Sequence, residues 1–215
     1  MKPWEFSVKQ YSSDRALAVK HFLYRVYADE MGWLPEDGNP SGWTVKEDGQ
    51  GGYFTDKFDD TAVWFGVFNA GEQAAVGRVI VPVESKLEVE LYQEIPARFK
   101  EEGILRAEIN RLAVAKKYNK SPALSKLMCA MYGYILAEKI DYLVGGIPNP
   151  TLAFAKAFGF KPLEPPLIFS YSGNDTDDAQ VMYLDLKGSG RAQQLVQRLT
   201  SETVFNLKFF DEEVH

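Results

Sequence analysis

The run from Leu105 to Ile147 constrains the fold of this chain more than any other stretch. Leu105 to Ala115 is largely apolar and reads as a strand. It passes through Lys116-Lys117-Tyr118-Asn119-Lys120 into Ser121-Pro122. Ser121 is a good helix N-cap, and Pro122 fits the first helical position, where its missing N–H is not needed. Ser121 to Lys139 then reads as an amphipathic helix with Leu124, Leu127, Met128, Met131 and Ile135 on one face. Asp141 to Ile147 follows as a buried strand. A strand, a capped helix and a second strand in direct succession demand a sheet with a helix packed on it.

The flanking pattern extends this unit. Trp4 to Gln10 alternates like a half-buried strand, and Ser12 and Ser13 can cap a helix reaching about Met31. Gly32 to Gly52 is rich in Gly, Pro and Asp and reads as a long irregular loop of the kind that forms binding loops or lids. Ala62 to Asn69 and Ala74 to Pro82 read as an antiparallel hairpin. Leu91 to Glu102 reads as a short helix disturbed by Pro96. Thr151 to Phe158 reads as a short helix ending at Gly159, and Leu167 to Tyr171 and Val181 to Leu186 as late strands. Arg191 to Thr200 suits a terminal helix packed on the outside. This order implies a mixed sheet with helices on both faces.

Several classes of function are disfavoured. No run of about 18 apolar residues occurs, so no membrane span is expected. The N-terminal Met1-Lys2-Pro3-Trp4-Glu5 lacks a signal-peptide stretch, and one cysteine, Cys129, cannot form an internal disulfide; together these lead us to expect a cytoplasmic protein. A formal charge of −6 argues against general nucleic-acid binding. With His21 and His215 as its only histidines, the chain suits neither a Ser-His-Asp triad nor a His-rich metal site, and no metal is expected. His21 lies among apolar neighbours and reads as structural; Cys129, on a core-facing helix, reads as inert.

The lysine turn is the chemically suggestive feature. The free N–H groups of a helix start carry partial positive charge and can seat a phosphate, and Lys116, Lys117, Lys120 and Lys126 surround this one. A capped helix beside a solvated basic turn is the plainer reading of the same residues.

Leu112 to Met128 resembles the phosphate-binding motif of GNAT acyltransferases, and Asn149-Pro-Thr-Leu-Ala-Phe-Ala-Lys-Ala-Phe-Gly-Phe160 resembles that superfamily's later signature. The resemblance implies an α/β (α+β) fold with a mixed, mostly antiparallel central sheet of about seven strands and helices on both faces. It makes residues 1–188 the acyltransferase domain and 189–215 a C-terminal helical extension. It assigns Leu112, Ala113 and Val114 to pairing with pantetheine amides. Lys117, Asn119, Lys120, Ser121 and Ala123 fall to the pyrophosphate, and Asn149 to the donor site. Pro122 and Leu124 stand where the superfamily has glycines, and Ala155 where it often has a tyrosine acid.

A narrower resemblance is to acyl-homoserine-lactone synthases and N-acyl amino acid synthases. It rests on Val26-Tyr27 with Gly32-Trp33, on Asp56-Lys57-Phe58-Asp59, on Gly77-Arg78 to Pro82, and on Glu108-Ile109-Asn110-Arg111-Leu112-Ala113-Val114. It implies acyl transfer from coenzyme A or from the phosphopantetheine of an acyl carrier protein to a small amine such as an amino acid. Glu108 would take the amine proton, and Arg111 and Arg78 would bind an acceptor carboxylate. Alternatively these arginines pair with Asp56, Asp59 or Glu108. Trp33 would line the substrate pocket together with Asp56 and Asp59; Trp33, Trp43, Tyr53 and Phe54 otherwise serve as packing anchors. In an ideal strand Glu108 and Arg111 point to opposite faces; a bulge would change that. An acetyl-CoA-dependent N-acetyltransferase and a non-catalytic acyl-thioester-binding domain are the competing expectations.

Overall fold

A computed structural model describes residues 4–170 and 178–188. The expected terminal helix, the extension 189–215 and His215 lie outside the described residues.

Ten strands and three α-helices are described: β1 Phe6–Tyr11, α1 Leu17–Tyr24, β2 Thr44–Asp48, β3 Gly51–Thr55, β4 Val63–Asn69, β5 Glu72–Ile80, β6 Arg106–Val114, α2 Ala123–Ala137, β7 Tyr142–Pro148, α3 Leu152–Ala157, β8 Lys161–Pro162, β9 Ile168–Ser170 and β10 Asp178–Asp185. Eight of the strands form one sheet in the order β1-β4-β5-β6-β7-β10-β8, with β9 also on β10. Every pairing is antiparallel except β6 with β7. The mixed, mostly antiparallel sheet expected from the sequence is present.

The two long helices take opposite faces. A side chain at Gly66 would meet Val19 of α1, whereas one at Gly77 would meet Leu127 and Met131 of α2. Leu127, Met131 and Ile135 are fully buried, as the helical spacing requires. Burial of this stripe, at roughly 1.5–3 kcal/mol per large side chain, holds α2 on the sheet.

Three expectations need correction. The N-terminal helix begins later and changes character: after α1 the chain forms a π-helical turn, Arg25–Glu30, in which the Met31 amide reaches back to the Val26 carbonyl at 3.1 Å. The second half of the expected long loop is a hairpin, β2 with β3. Its Asp and Gly residues build the turn, where Asp48 Oδ1 accepts the Gln50 amide at 2.7 Å and Gly51 has φ 118°. The expected helix at 91–102 is replaced by 3-10 turns at Glu88–Leu91 and Ala97–Phe99. Pro96 removes a donor, and Glu90 turns back to cap the Leu87 amide at 2.9 Å and to pair with Arg106 at 3.3 Å.

Candidate active site

The site begins with a bulge in β6. Val76 pairs with Ala113 but Arg78 pairs with Asn110, so Gly77 faces two residues, Arg111 and Leu112. Arg111 takes the left-handed conformation, φ 53°, which a non-glycine residue rarely adopts. A β-carbon at Gly77 would come within 2.8 Å of Leu112 Cδ2 and 2.9 Å of Met131 Sδ, so these side chains pack directly over the glycine and would have to shift to admit one. Because of the bulge, consecutive residues Asn110 and Arg111 reach the same ionic cluster as Arg78.

That cluster is buried between the sheet and α1. Arg78 forks onto Asp56 at 2.8 and 2.9 Å, donates to Asp59 at 2.9 Å and bonds Asn110 through Nε at 2.8 Å. Arg111 donates through Nη2 to Asp56 at 2.8 Å and to Glu88. Lys20 pairs with Asp59 at 2.8 Å. Burial works to raise Asp56, but Arg78 and Arg111 outweigh it and hold the carboxyl far below its usual range. Burial likewise opposes the Arg111 charge, and Glu88 and Asp56 more than restore it.

Glu108 differs from the other carboxyls. It is 1% exposed, it accepts the Val89 amide at 3.0 Å, and no described cation bonds it. Burial and the nearby Glu88 push it up to about 8. With Glu108 protonated, three carboxylates (Asp56, Asp59, Glu88) face three cations (Lys20, Arg78, Arg111), and the buried charge balances.

Beside this cluster the sheet opens. β6 and β7 pair only at Arg106–Tyr142 and Ala107–Leu143, then diverge. The gap holds a cavity of about 510 Å³. Leu112, Val114, Leu124, Met128, Ala155 and Phe158 form its apolar wall on the α2 and α3 side. Tyr27, Trp33, Trp43 and Arg111 supply its aromatic and cationic lining. Trp33 lies 4.6 Å from Trp43 between ring centroids, and the Arg111 guanidinium lies 3.5 Å over the Trp43 ring. No described group accepts from Arg111 Nε or Nη1. The cavity thus has an apolar arm and a cationic, aromatic arm that meet at the bulge.

The backbone of β6 serves the gap. Ala115 donates to Ala74 of β5 at 3.0 Å, so by alternation Ala113 also turns to β5. The Leu112 carbonyl and the Val114 amide therefore turn toward β7, where the ladder is interrupted. Ala113 has its side chain buried, Val114 lines the cavity, and Leu112 is 36% exposed within it.

The helix start departs from the expected capping by one residue. α2 begins at Ala123, and the Ser121 hydroxyl accepts the Ala123 amide at 3.2 Å. The amides of Leu124 and Ser125 find no described protein acceptor, which leaves donors for an anion. Lys117 is engaged by Glu72 across an exposed ion pair. Lys120 and Asn119 are exposed beside the turn, and Asn149 is exposed at the end of β7.

The other proposed site residues divide in two. Trp33 and Arg111 line the cavity; Asp56, Asp59 and Arg78 lie behind it in the ionic cluster, and Glu108 lies against Gly145, a cavity residue. Phe54 packs on Trp43, and His21 bonds the Gly52 carbonyl at 2.8 Å and Asp48 at 3.1 Å. Sequence reasoning missed Glu88, Lys20 and Tyr27. Two carboxylates set in the apolar Leu87-Glu88-Val89-Glu90-Leu91 were the available signal for Glu88.

The family model described as N-acyl amino acid synthase FeeM matches residues 18–185. No curated protein matches the chain. Among solved structures, FeeM, an N-acyl amino acid synthase from uncultured soil microbes, is 19% identical, with a TM-score of 0.62 over 89% of this chain and 99% of its own. BjaI, a CoA-dependent acyl-homoserine lactone synthase solved with SAM and isopentyl-CoA, is 12% identical, with a TM-score of 0.60 over 92% of this chain and 89% of its own. A GNAT-family acetyltransferase from Streptococcus pneumoniae is 12% identical, with a TM-score of 0.53 over 84% and 99%. At these identities the likeness to solved structures is one of fold.

Proposed function

The chain belongs to the N-acyl amino acid synthase FeeM family and is an N-acyltransferase, and from that premise we propose that it transfers a long acyl chain to the amine of an amino acid. The observation that supports this reading is the two-armed cavity in the gap between β6 and β7. The Leu, Val, Met and Phe side chains that line it suit an acyl chain, and each methylene they remove from water favours binding by about 0.8 kcal/mol.

In this reading the phosphopantetheine arm of the donor lies along the open edge of β6. The Val114 amide and the Leu112 carbonyl meet its amides, and its phosphate meets the amides of Leu124 and Ser125 beside Lys120. The acyl chain fills the apolar arm. The acceptor takes the aromatic and cationic arm, where the unused N–H groups of Arg111 bind its carboxylate and Trp33 and Trp43 enclose it. Asp56 and Glu88 hold Arg111 in place, and Arg78 holds Asp56. Glu108, placed against Gly145, takes the proton shed by the amine, directly or through water. Both acyl carrier protein and coenzyme A carry the arm this site needs.

The test is thiol release from acetyl-CoA, long-chain acyl-CoA and long-chain acyl carrier protein against an amino-acid panel. Transfer from long-chain donors is expected. Acetyl-CoA as the best donor would support an acetyltransferase instead, and saturable binding with no release would support a non-catalytic domain.

A further inference from the structure

Departure of a thiolate from the tetrahedral intermediate is helped by a donor that gives the sulfur a proton. The α3 wall of the cavity offers Thr151, Ala155 and Phe158, and the Thr151 hydroxyl is already committed to the Pro148 carbonyl at 2.9 Å. Asn110 is held in the ionic cluster by Arg78 and Glu88. Among the described side chains lining the cavity, Tyr27 carries the one phenol.

Its position is specific. The hydroxyl donates at 2.8 Å to the carbonyl of Leu112, a residue 85 positions away. Leu112 belongs to the β6 bulge, and its carbonyl turns into the gap. The proton of Tyr27 therefore lies at the edge of β6 where the bulge, the apolar arm and the cationic arm converge. The ring is fixed by edge contacts with Trp33 at 5.6 Å and Trp43 at 6.0 Å, and its backbone belongs to the π-helical turn, an irregularity often found at functional sites. Resting on the acyl-transfer reading above, we infer that Tyr27 is a catalytic residue that protonates the departing sulfur.

The step balances. The amine nitrogen attacks the thioester carbon and forms the C–N bond. The C–S bond breaks with its electron pair on sulfur, which takes the Tyr27 proton. The proton lost by nitrogen passes to Glu108 and from there through solvent to the phenolate, and the Leu112 carbonyl recaptures the hydroxyl. Burial pushes the Tyr27 hydroxyl up to about 12, so the oxygen holds its proton at neutral pH.

The experiment compares Tyr27→Phe with the unaltered protein on two donors carrying the same acyl chain, a pantetheine thioester and an aryl thioester whose thiol is a better leaving group. Tyr27→Phe should slow transfer from the pantetheine thioester by about 100-fold, within the range for a lost general acid, and from the aryl thioester by less than about threefold. An equal loss on both donors would mean that the hydroxyl only supports structure, and no loss on the pantetheine thioester would remove it from the reaction. A second measurement needs no variant: across thiols of rising pKa the rate of the unaltered protein should stay nearly flat, and a steep fall would overturn the assignment. Transfer from no thioester at all by the unaltered protein would remove the acyl-transfer reading itself.

Discussion

Arg78 donates from Nη1 and Nη2 to the two oxygens of Asp56 at 2.8 and 2.9 Å, and neither side chain is more than 1% exposed. This fork anchors the cluster that aims Arg111. Removing one member of a buried ion pair leaves the other charge uncompensated, at a cost of about 3–5 kcal/mol. Arg78→Met should destabilise the fold by about that much in urea unfolding. Adding Asp56→Asn should cost less than the sum of the two single changes. Additive losses would show that the fork is not a coupled unit.

Glu108 gives the second prediction. Its native pKa of about 8 lies above its ordinary value of 4.5. Between those limits the native state holds a proton that the unfolded chain has released, so stability falls as pH rises through this window. Glu108→Gln keeps the group neutral and should flatten that slope. Asp56 acts with the opposite sign at low pH, where its depressed pKa makes stability fall as it is protonated. If Glu108 is the base, activity rises with pH through about 8, and Glu108→Gln cuts it by tens-fold or more. An unchanged rate would exclude Glu108 from the reaction.

The sequence carried the sheet and the helix start because these rest on local signals: apolar alternation, the Ser121-Pro122 pair and the Leu127, Met131, Ile135 stripe. It carried the possibility of a bulge but not its place, since the slip is a matter of how β6 registers against β5, a partner strand distant in the chain. It could not choose between Arg78 as substrate ligand and Arg78 as ion-pair partner, because Asp56 and Glu88 come from separate loops. The motif around Tyr27 gives its hydroxyl no role, because its partner is the backbone carbonyl of Leu112, which leaves no mark in the sequence.

Ala155 supplies the third prediction. It is 6% exposed, on the cavity wall between Thr151 and Phe158. Ala155→Phe fills part of the apolar arm without touching the cationic arm. The variant should prefer shorter acyl donors, and the acceptor KM should change little. An unaltered chain-length profile would place the acyl chain elsewhere.

The last prediction concerns the helix start. Glu72 holds Lys117 in an ion pair that is more than half exposed on both sides, and Glu72 also accepts the Tyr118 hydroxyl at 3.3 Å. Solvent screens an exposed pair of this kind, so Glu72→Gln should leave unfolding nearly unchanged. It frees the Lys117 charge in the turn that leads into α2, whose first amides include those of Leu124 and Ser125. The KM for a phosphopantetheine donor should then fall several-fold at low salt. The gain should vanish toward about 1 M salt, where charges are screened beyond about 3 Å. Lys120→Ala should raise the same KM, because Lys120 is exposed and no described carboxylate pairs with it. If neither change moves the donor KM while acceptor kinetics shift, the phosphate does not lie at this helix start.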